Sequence, residues 1–259
     1  MAQAPRFIHL RTHSEYSLLE GALRLKKLPD LCKSAGMPAM ALTDTNNMFA
    51  ALEFSVAMAG AGVQPIIGCQ VDLAYVTVQP GEKPRDPAPV VLLAQSEVGY
   101  ENLMKLNSCL YIDKGGALPQ VTLEELEALN SGLICLTGGA GGPVGQLLQG
   151  GQRPAAEALM ARLHGAFADR LYVELQRHPG EDGQPLAEQL TERGFVELAY
   201  AMGIPLVATN DVYFPKAEMY EAHDALICIA DGAYVDQQHE RRRLTAQHYF
   251  KSQAEMVTL

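Results

Sequence analysis

The chain has 259 residues, with 30 acidic against 20 basic side chains, 48% apolar residues and no tryptophan. That apolar fraction supplies an ample core and excludes a disordered chain, and no run of about 18 consecutive apolar residues is present to span a membrane. The net charge of −10 opposes a general grip on a phosphate backbone, so little direct DNA contact is expected.

Residues 1–8 lack the charged start and apolar run of a signal peptide, which points to the cytoplasm. The five cysteines (Cys32, Cys69, Cys109, Cys135, Cys228) are scattered, with no CxxC pair. They read as small buried hydrophobes of a reducing compartment.

Phe7-Ile8-His9-Leu10 reads as a first strand, followed by a helix over 22–35 that ends at Gly36. A second strand over 39–43 leads to a helix over 47–60, stopped by Gly60 and Gly62. The third strand runs from Pro65 to about Tyr75, and residues 76–89 collect four prolines in a solvated loop. Strand four (90–94) precedes a helix over 98–110, a Gly-Gly turn and a helix from Thr122, where Thr122 and Glu125 form a capping box. Strand five (133–137) opens into Gly138-Gly139-Ala140-Gly141-Gly142. Strands six and seven occupy 171–176 and 206–209, and further helices fill 154–167, 185–202 and 217–230. The tail ends abruptly in a helix-like segment, as expected of a fragment of something longer.

Apolar strands alternating with helices imply an α/β fold with a parallel sheet and helices outside. About seven such units favour a barrel, although periodicity alone does not separate it from an open sheet. In a parallel barrel the site forms at the carboxyl ends of the strands. Polar residues gather there: Arg11, His13, Ser14, Glu15 and Glu20 after strand one, Asp44, Thr45, Asn46 and Asn47 after strand two. Gln70 and Asp72 lie on strand three, Glu174, Gln176 and His178 at strand six, and Asn210-Asp211 after strand seven.

Each has an ordinary alternative. Asp44 suits a helix cap, Asp211 an Asx turn, and a lone histidine a strand end. The glycine run is more often a tight turn than a phosphate cradle. Arg241-Arg242-Arg243 usually marks a solvated face, less often a contact with nucleic acid or a partner.

The run His9-Leu10-Arg11-Thr12-His13-Ser14-Glu15-Tyr16-Ser17-Leu18-Leu19-Glu20-Gly21 resembles the opening of the PHP (polymerase-and-histidinol-phosphatase) domain of bacterial DNA polymerase III alpha subunits. Ala41-Leu42-Thr43-Asp44, Pro65-Ile66-Ile67-Gly68, Gly99-Tyr100-Glu101-Asn102-Leu103, Val207-Ala208-Thr209-Asn210-Asp211 and Ala222-His223-Asp224-Ala225-Leu226 extend the resemblance in order. It implies a distorted seven-stranded (β/α) TIM-like barrel, one PHP domain over 1–259, with the barrel in about 6–235 and the start of a connection to a polymerase core in 236–259.

PHP domains that perform chemistry hold two or three metal ions on histidines, carboxylates and a cysteine. By the resemblance, those positions are here Arg11, His13, Glu20, Asp44, Thr45, Gln70, Pro89, Gly139, Asp211 and Tyr213, so most imidazole donors and the thiol are replaced. At about 4 Å and an effective dielectric of ~20, each unit of cation charge meets roughly 4 kcal/mol of repulsion from a guanidinium that cannot deprotonate. The expectation is a vestigial site (Arg11, His13, Glu20, Asp44, Asp211) with no metal, His13, Glu20 and Asp211 being the donors for one if any binds. Arg11 is expected to pair with Glu20 or Asp211, or to hold an anion such as phosphate with His13 and Gly139.

The resemblance implies DNA replication as the setting. This chain would be a scaffold packed on the polymerase core of its own polypeptide and bound to the proofreading exonuclease (epsilon) subunit. Nucleotidyl transfer and its Mg²⁺ would lie elsewhere, and no membrane is involved. The alternative is a residual metal-dependent phosphoesterase acting as an exonuclease or pyrophosphatase.

Overall fold

A computed structural model describes residues 7–76, 86–112, 118–180, 186–237 and 241–259. Seven strands form the sheet: β1 (Ala39–Leu42), β2 (Gln64–Ala74), β3 (Ala88–Ala94), β4 (Val121–Thr122), β5 (Leu133–Leu136), β6 (Leu171–Leu175) and β7 (Leu206–Ala208). The order is β1-β2-β3-β5-β6-β7, with the short β4 on the far end of β2.

The sheet is mixed, which corrects the expectation of parallel strands throughout. β3 runs antiparallel to both β2 and β5, and every other pair is parallel. A parallel β2–β3 pair needs a crossover, usually a helix. The connection instead carries Pro80, Pro84 and Pro87, which oppose one.

The expected first strand is not a regular strand. Its residues run between β1 and the segment after β7 and join the two edges of the curled sheet. Ala41 N–H donates to the His9 carbonyl at 2.8 Å, Thr43 N–H to Thr12 at 3.0 Å, and His13 N–H to Val212 at 2.8 Å. The ladder is broken because the Thr12 N–H donates to the Thr43 hydroxyl, 2.9 Å away, instead of a carbonyl. The result is a distorted barrel in which this segment stands as the closing stave.

Helices cover the outside: α1 (Leu28–Ser34), α2 (Ala51–Gly60), α3 (Glu97–Cys109), α4 (Leu123–Ala128), α5 (Pro143–Gln149), α6 (Arg153–Phe167), α7 (Ala187–Met202), α8 (Tyr220–Asp231) and α9 (Gln253–Thr258). The Thr122–Glu125 capping box opens α4 as read. Three expected helices start later, the one read from 217 only at Tyr220 after a 3₁₀ turn over Ala217–Met219. A 3₁₀ turn over Leu25–Lys27 precedes α1, whose first turn holds Pro29, and Asn47 donates its side-chain amide to Tyr16 and Thr45 carbonyls instead of entering α2. Helix α5, unread in the sequence, begins on Pro143 directly after the glycine run, where a missing N–H does no harm.

One core lies between the sheet and α3–α7, built on Val71, Leu92, Leu106, Met160, Phe167 and Phe195. A second joins Leu23, Leu28, Met40, Phe54 and Met58 to Phe250 of the tail. Tyr249 bridges Phe214, so the segment before α9 packs on the barrel closure. All five cysteines are free, and four are buried. Among the described residues no helix is long and apolar enough to cross a membrane.

Candidate functional site

In the closing stave the side chains alternate, so Arg11 and His13 share the inward face while Thr12 points the other way. Arg11 is 4% exposed, and its donors face protein acceptors. Nη2 and Nε donate to Gln70 Oε1 on β2 at 2.7 and 3.1 Å. Nη1 donates to the Gly138 carbonyl at 3.3 Å and to Glu174 Oε2 on β6 at 3.4 Å. Nε also stands 3.1 Å from Asp211 Oδ1, just after β7. One guanidinium thus ties together β2, β6 and the turns after β5 and β7.

Burial works against the Arg11 charge, but Asp211 and then Glu174 overrule it and raise its pKa above the ordinary arginine value. Asp211 shows the converse. Burial pushes its carboxyl up, yet Arg11 and His13 outweigh that and hold it well below the usual range. For Glu174 burial wins, and its pKa is raised despite Arg11 and the Thr209 hydroxyl at 2.5 Å.

His13 places Nε2 2.9 Å from Asp211 Oδ1 and Nδ1 3.3 Å from both Ser17 Oγ and Thr45 Oγ1. Tyr213 stacks on its ring at 4.2 Å and 7°. Ser17, His13 and Asp211 line up as nucleophile, base and carboxylate would, but Ser17 is fully buried and donates to Asp44 Oδ1 at 2.7 Å. That hydroxyl is a structural tie.

Asp44 accepts the Ser14 N–H, the Ser14 hydroxyl and the Ser17 hydroxyl, each at 2.7 Å. It therefore pins the loop after the stave and caps no helix. Glu20 lies away from Arg11: Oε2 accepts from Thr45 at 2.8 Å, and Oε1 pairs with Arg242 at 2.5 Å. Of the two pairings expected for Arg11, Asp211 forms and Glu20 does not.

Gly138 contributes a carbonyl, rather than an N–H, to Arg11. A Cβ on Gly139 would stand 2.6 Å from Gln176 Oε1, so a cysteine at that position displaces Gln176. An anion at this rim competes with Glu174 and Asp211 for the guanidinium. The tail arginines are also engaged. Arg241 forms a fork with Asp224 at 2.6 and 2.7 Å, and Arg242 reaches Asp231 at 3.2 Å besides Glu20. His223, without a sequence partner, donates its Nε2–H to the Glu20 carbonyl, 2.6 Å away. His239 lies outside the described residues.

Two contributors escaped the sequence reading. The stacking of Tyr213 on His13 and the clasp of Arg242 on Glu20, 222 residues apart, carry no local signal. Alternation along β6 did mark Glu174 and Gln176 as inward-facing. Among the described residues no group of three or more His, Cys, Asp or Glu side chains is arranged to hold a metal ion.

Residues 9–178 match the family model of the PHP domain. The chain belongs to the PHP domain family. This PHP domain is 46% identical over 260 residues to the DNA polymerase III subunit alpha of Caulobacter vibrioides, covering all of this chain and 22% of that protein. It is 38% identical over 257 residues to that of Pseudomonas fluorescens, covering 98% of this chain and 21% of the relative. The chain therefore spans about a fifth of the length of the curated relatives it matches. Among solved structures, a Bifidobacterium adolescentis protein described as a metal-dependent phosphoesterase superposes with a TM-score of 0.51 at 12% identity, covering 81% of this chain and 88% of that one. That likeness establishes the fold. The positions assigned to metal ligands by resemblance converge in this PHP domain on one rim, but a buried arginine stands at their centre.

Proposed function

We propose that this PHP domain serves DNA replication as part of a DNA polymerase III alpha subunit, where it is a non-catalytic scaffold. In that role it packs on the polymerase core and binds the proofreading exonuclease. The observation that carries the proposal is the Arg11 guanidinium, buried among Gln70, Gly138, Glu174 and Asp211.

A metal cluster does not fit this donor set. Asp211 Oδ1 already serves Arg11 and His13, Asp44 already accepts from three donors, and Glu20 is paired with Arg242. A divalent ion beside Asp211 would also lie within a few ångströms of a permanent positive charge. The polar groups are mutually satisfied, which is what a buried network needs to be structural. An acidic domain suits protein partners better than a phosphate backbone.

Two measurements test this. Calorimetry with the C-terminal segment of the exonuclease is expected to show saturable binding, and absence of heat at high concentration removes the scaffold role. Dialysed protein is expected to retain no Mn²⁺ or Zn²⁺ and to release no phosphate from phosphoesters. Retained metal, with turnover abolished by Asp211→Asn, would replace the scaffold by a metal-dependent phosphoesterase.

A further inference from the structure

Residues 244–259 lie across the barrel closure as a strap, tied there largely by hydrogen bonds. Tyr213 N–H donates to the His248 carbonyl and Phe250 N–H to the Phe214 carbonyl, both at 2.9 Å. His9 Nε2–H donates to the Lys251 carbonyl, also at 2.9 Å. Phe250 is the one fully buried apolar side chain of the segment. A segment held by so little apolar burial can open without unfolding the core beneath it.

At this contact two imidazoles meet face to face. His178, just after β6, and His248, on the strap, are 2% and 8% exposed, with ring centroids 3.8 Å apart and planes within 9°. Glu188 on α7 fixes the first ring. Its Oε1 accepts from His178 Nδ1 at 2.6 Å and its Oε2 from the His178 backbone N–H at 2.8 Å. His178 Nε2 is buried with no partner among the described residues, so the neutral ring carries its proton on Nδ1. Nδ1 of His248 stands 3.2 Å from the N–H, hydroxyl and carbonyl of Thr245, on the strap itself.

Two neutral rings stack at this separation, whereas two imidazolium rings repel with little solvent to screen them. The groups around the pair give limited help. Asp211, after β7, favours a charge on His248, but its carboxylate already serves Arg11 and His13. Lys251 on the strap opposes that charge. Tyr213, its ring 6.1 Å from that of His248, is kept uncharged by burial. Arg177, next to His178, is paired with Glu192, and Glu188 is the carboxylate that touches the pair. Burial first, and His178 next, hold the His248 pKa well below the ordinary value of 6.5. The contribution of the neutral ring is therefore complete above pH 6.5 and lost as pH falls.

We propose that the stacked His178–His248 pair is an acid-sensitive latch. With the rings neutral it holds residues 244–259 on the barrel, and protonation of His248 releases that segment while the sheet and its outer helices stay folded. It is independent of the polymerase reading. The test is amide hydrogen exchange of the full chain from pH 7.5 to 5, corrected for the intrinsic pH dependence of exchange, with the histidine rings titrated by NMR. Protection of residues 244–259 is expected to fall about tenfold or more, while that of β3 and α3 changes by about twofold at most. His248 is expected to take up its proton only as that protection is lost. In His248→Phe, which keeps the stacked face but cannot charge, the fall is expected to shrink to about twofold. In His178→Gln, which removes the facing ring and keeps a donor for Glu188, release is expected about half a pH unit lower or more. Protonation of His248 with the segment still protected overturns the proposal, and this readout needs no variant. Unchanged protection at pH 5 overturns it, as does a loss that includes the sheet. A fall equally large in His248→Phe overturns it too, and gives the effect to His9.

Discussion

Nε of Arg11 and Nε2 of His13 converge on the same oxygen of Asp211, at 3.1 and 2.9 Å. That oxygen belongs to the turn after β7, and the two donors to the closing stave, so this contact fastens the barrel where its edges meet. Buried ion pairs contribute little net stability when intact, but breaking one leaves an uncompensated charge.

Asp211→Asn is therefore expected to destabilise the domain by about 3–5 kcal/mol, a fall in Tm on the order of 10 °C for a chain of this size. Thermal unfolding followed by circular dichroism checks it. A loss below about 1 kcal/mol would mean that the contact is solvated in practice.

Glu174→Gln is expected to behave differently, shifting stability by about 1 kcal/mol or less. Burial raises the Glu174 pKa, so its charge is already disfavoured in the fold, whereas the Asp211 charge is favoured. The amide oxygen can still accept from Arg11 while its NH2 donates to the Thr209 hydroxyl, and Asp211 remains as the counterion. Side-by-side denaturant titrations of the two variants measure the contrast.

Acid sensitivity is expected between pH 6.5 and 4. Burial lowers the His9 pKa from 6.5 to about 4, against the hydrogen bond of its ring to the Lys251 carbonyl. Its folded pKa lies below its unfolded one, so its contribution is complete above pH 6.5 and is lost as pH falls toward 4. The effect is on the order of 3 kcal/mol. Asp211 is also depressed, but acts lower, its share being lost only as pH falls below the ordinary aspartate pKa of 3.8. Tm measured from pH 7.5 to 4 is expected to slope less steeply in His9→Gln.

Glycine substitutions should split by sign. A Cβ on Gly21 would lie 1.9 Å from the Ser14 carbonyl oxygen, and one on Gly99 1.8 Å from that of Gly132. Both clashes are with backbone, so Gly21→Ala and Gly99→Ala are expected to cost about 3 kcal/mol or more. Gly60→Ala, at the exposed end of α2 with open space around it, is expected to gain about 0.4–1 kcal/mol. Chemical denaturation of the three variants tests the ordering.

Most elements were legible because periodicity and caps are local. The runs that became β2, β5 and β6, the Thr122 capping box and the helices after Ser96 and Gln152 all declare themselves within a few residues. Alternation also placed Glu174 and Gln176 on one strand face. The direction of β3 was not legible, since an apolar run reads alike both ways and only its pairing with Val71 and Leu136 orients it. Nor was the irregularity of the closing stave, where a threonine hydroxyl takes the place of a carbonyl.

Residue types alone determined that an arginine had entered a position assigned by resemblance to an imidazole, because charge and protonation belong to the side chain wherever it sits. Which carboxylates answer that arginine was decided by the closed barrel. Asp211 and Glu174 are brought to it from strands 163 or more residues away, while Glu20, nine residues on, is turned toward Arg242 instead. Short-range composition sets what each group can do, but pairing energy depends on distance and burial, and those exist only once the sheet has curled.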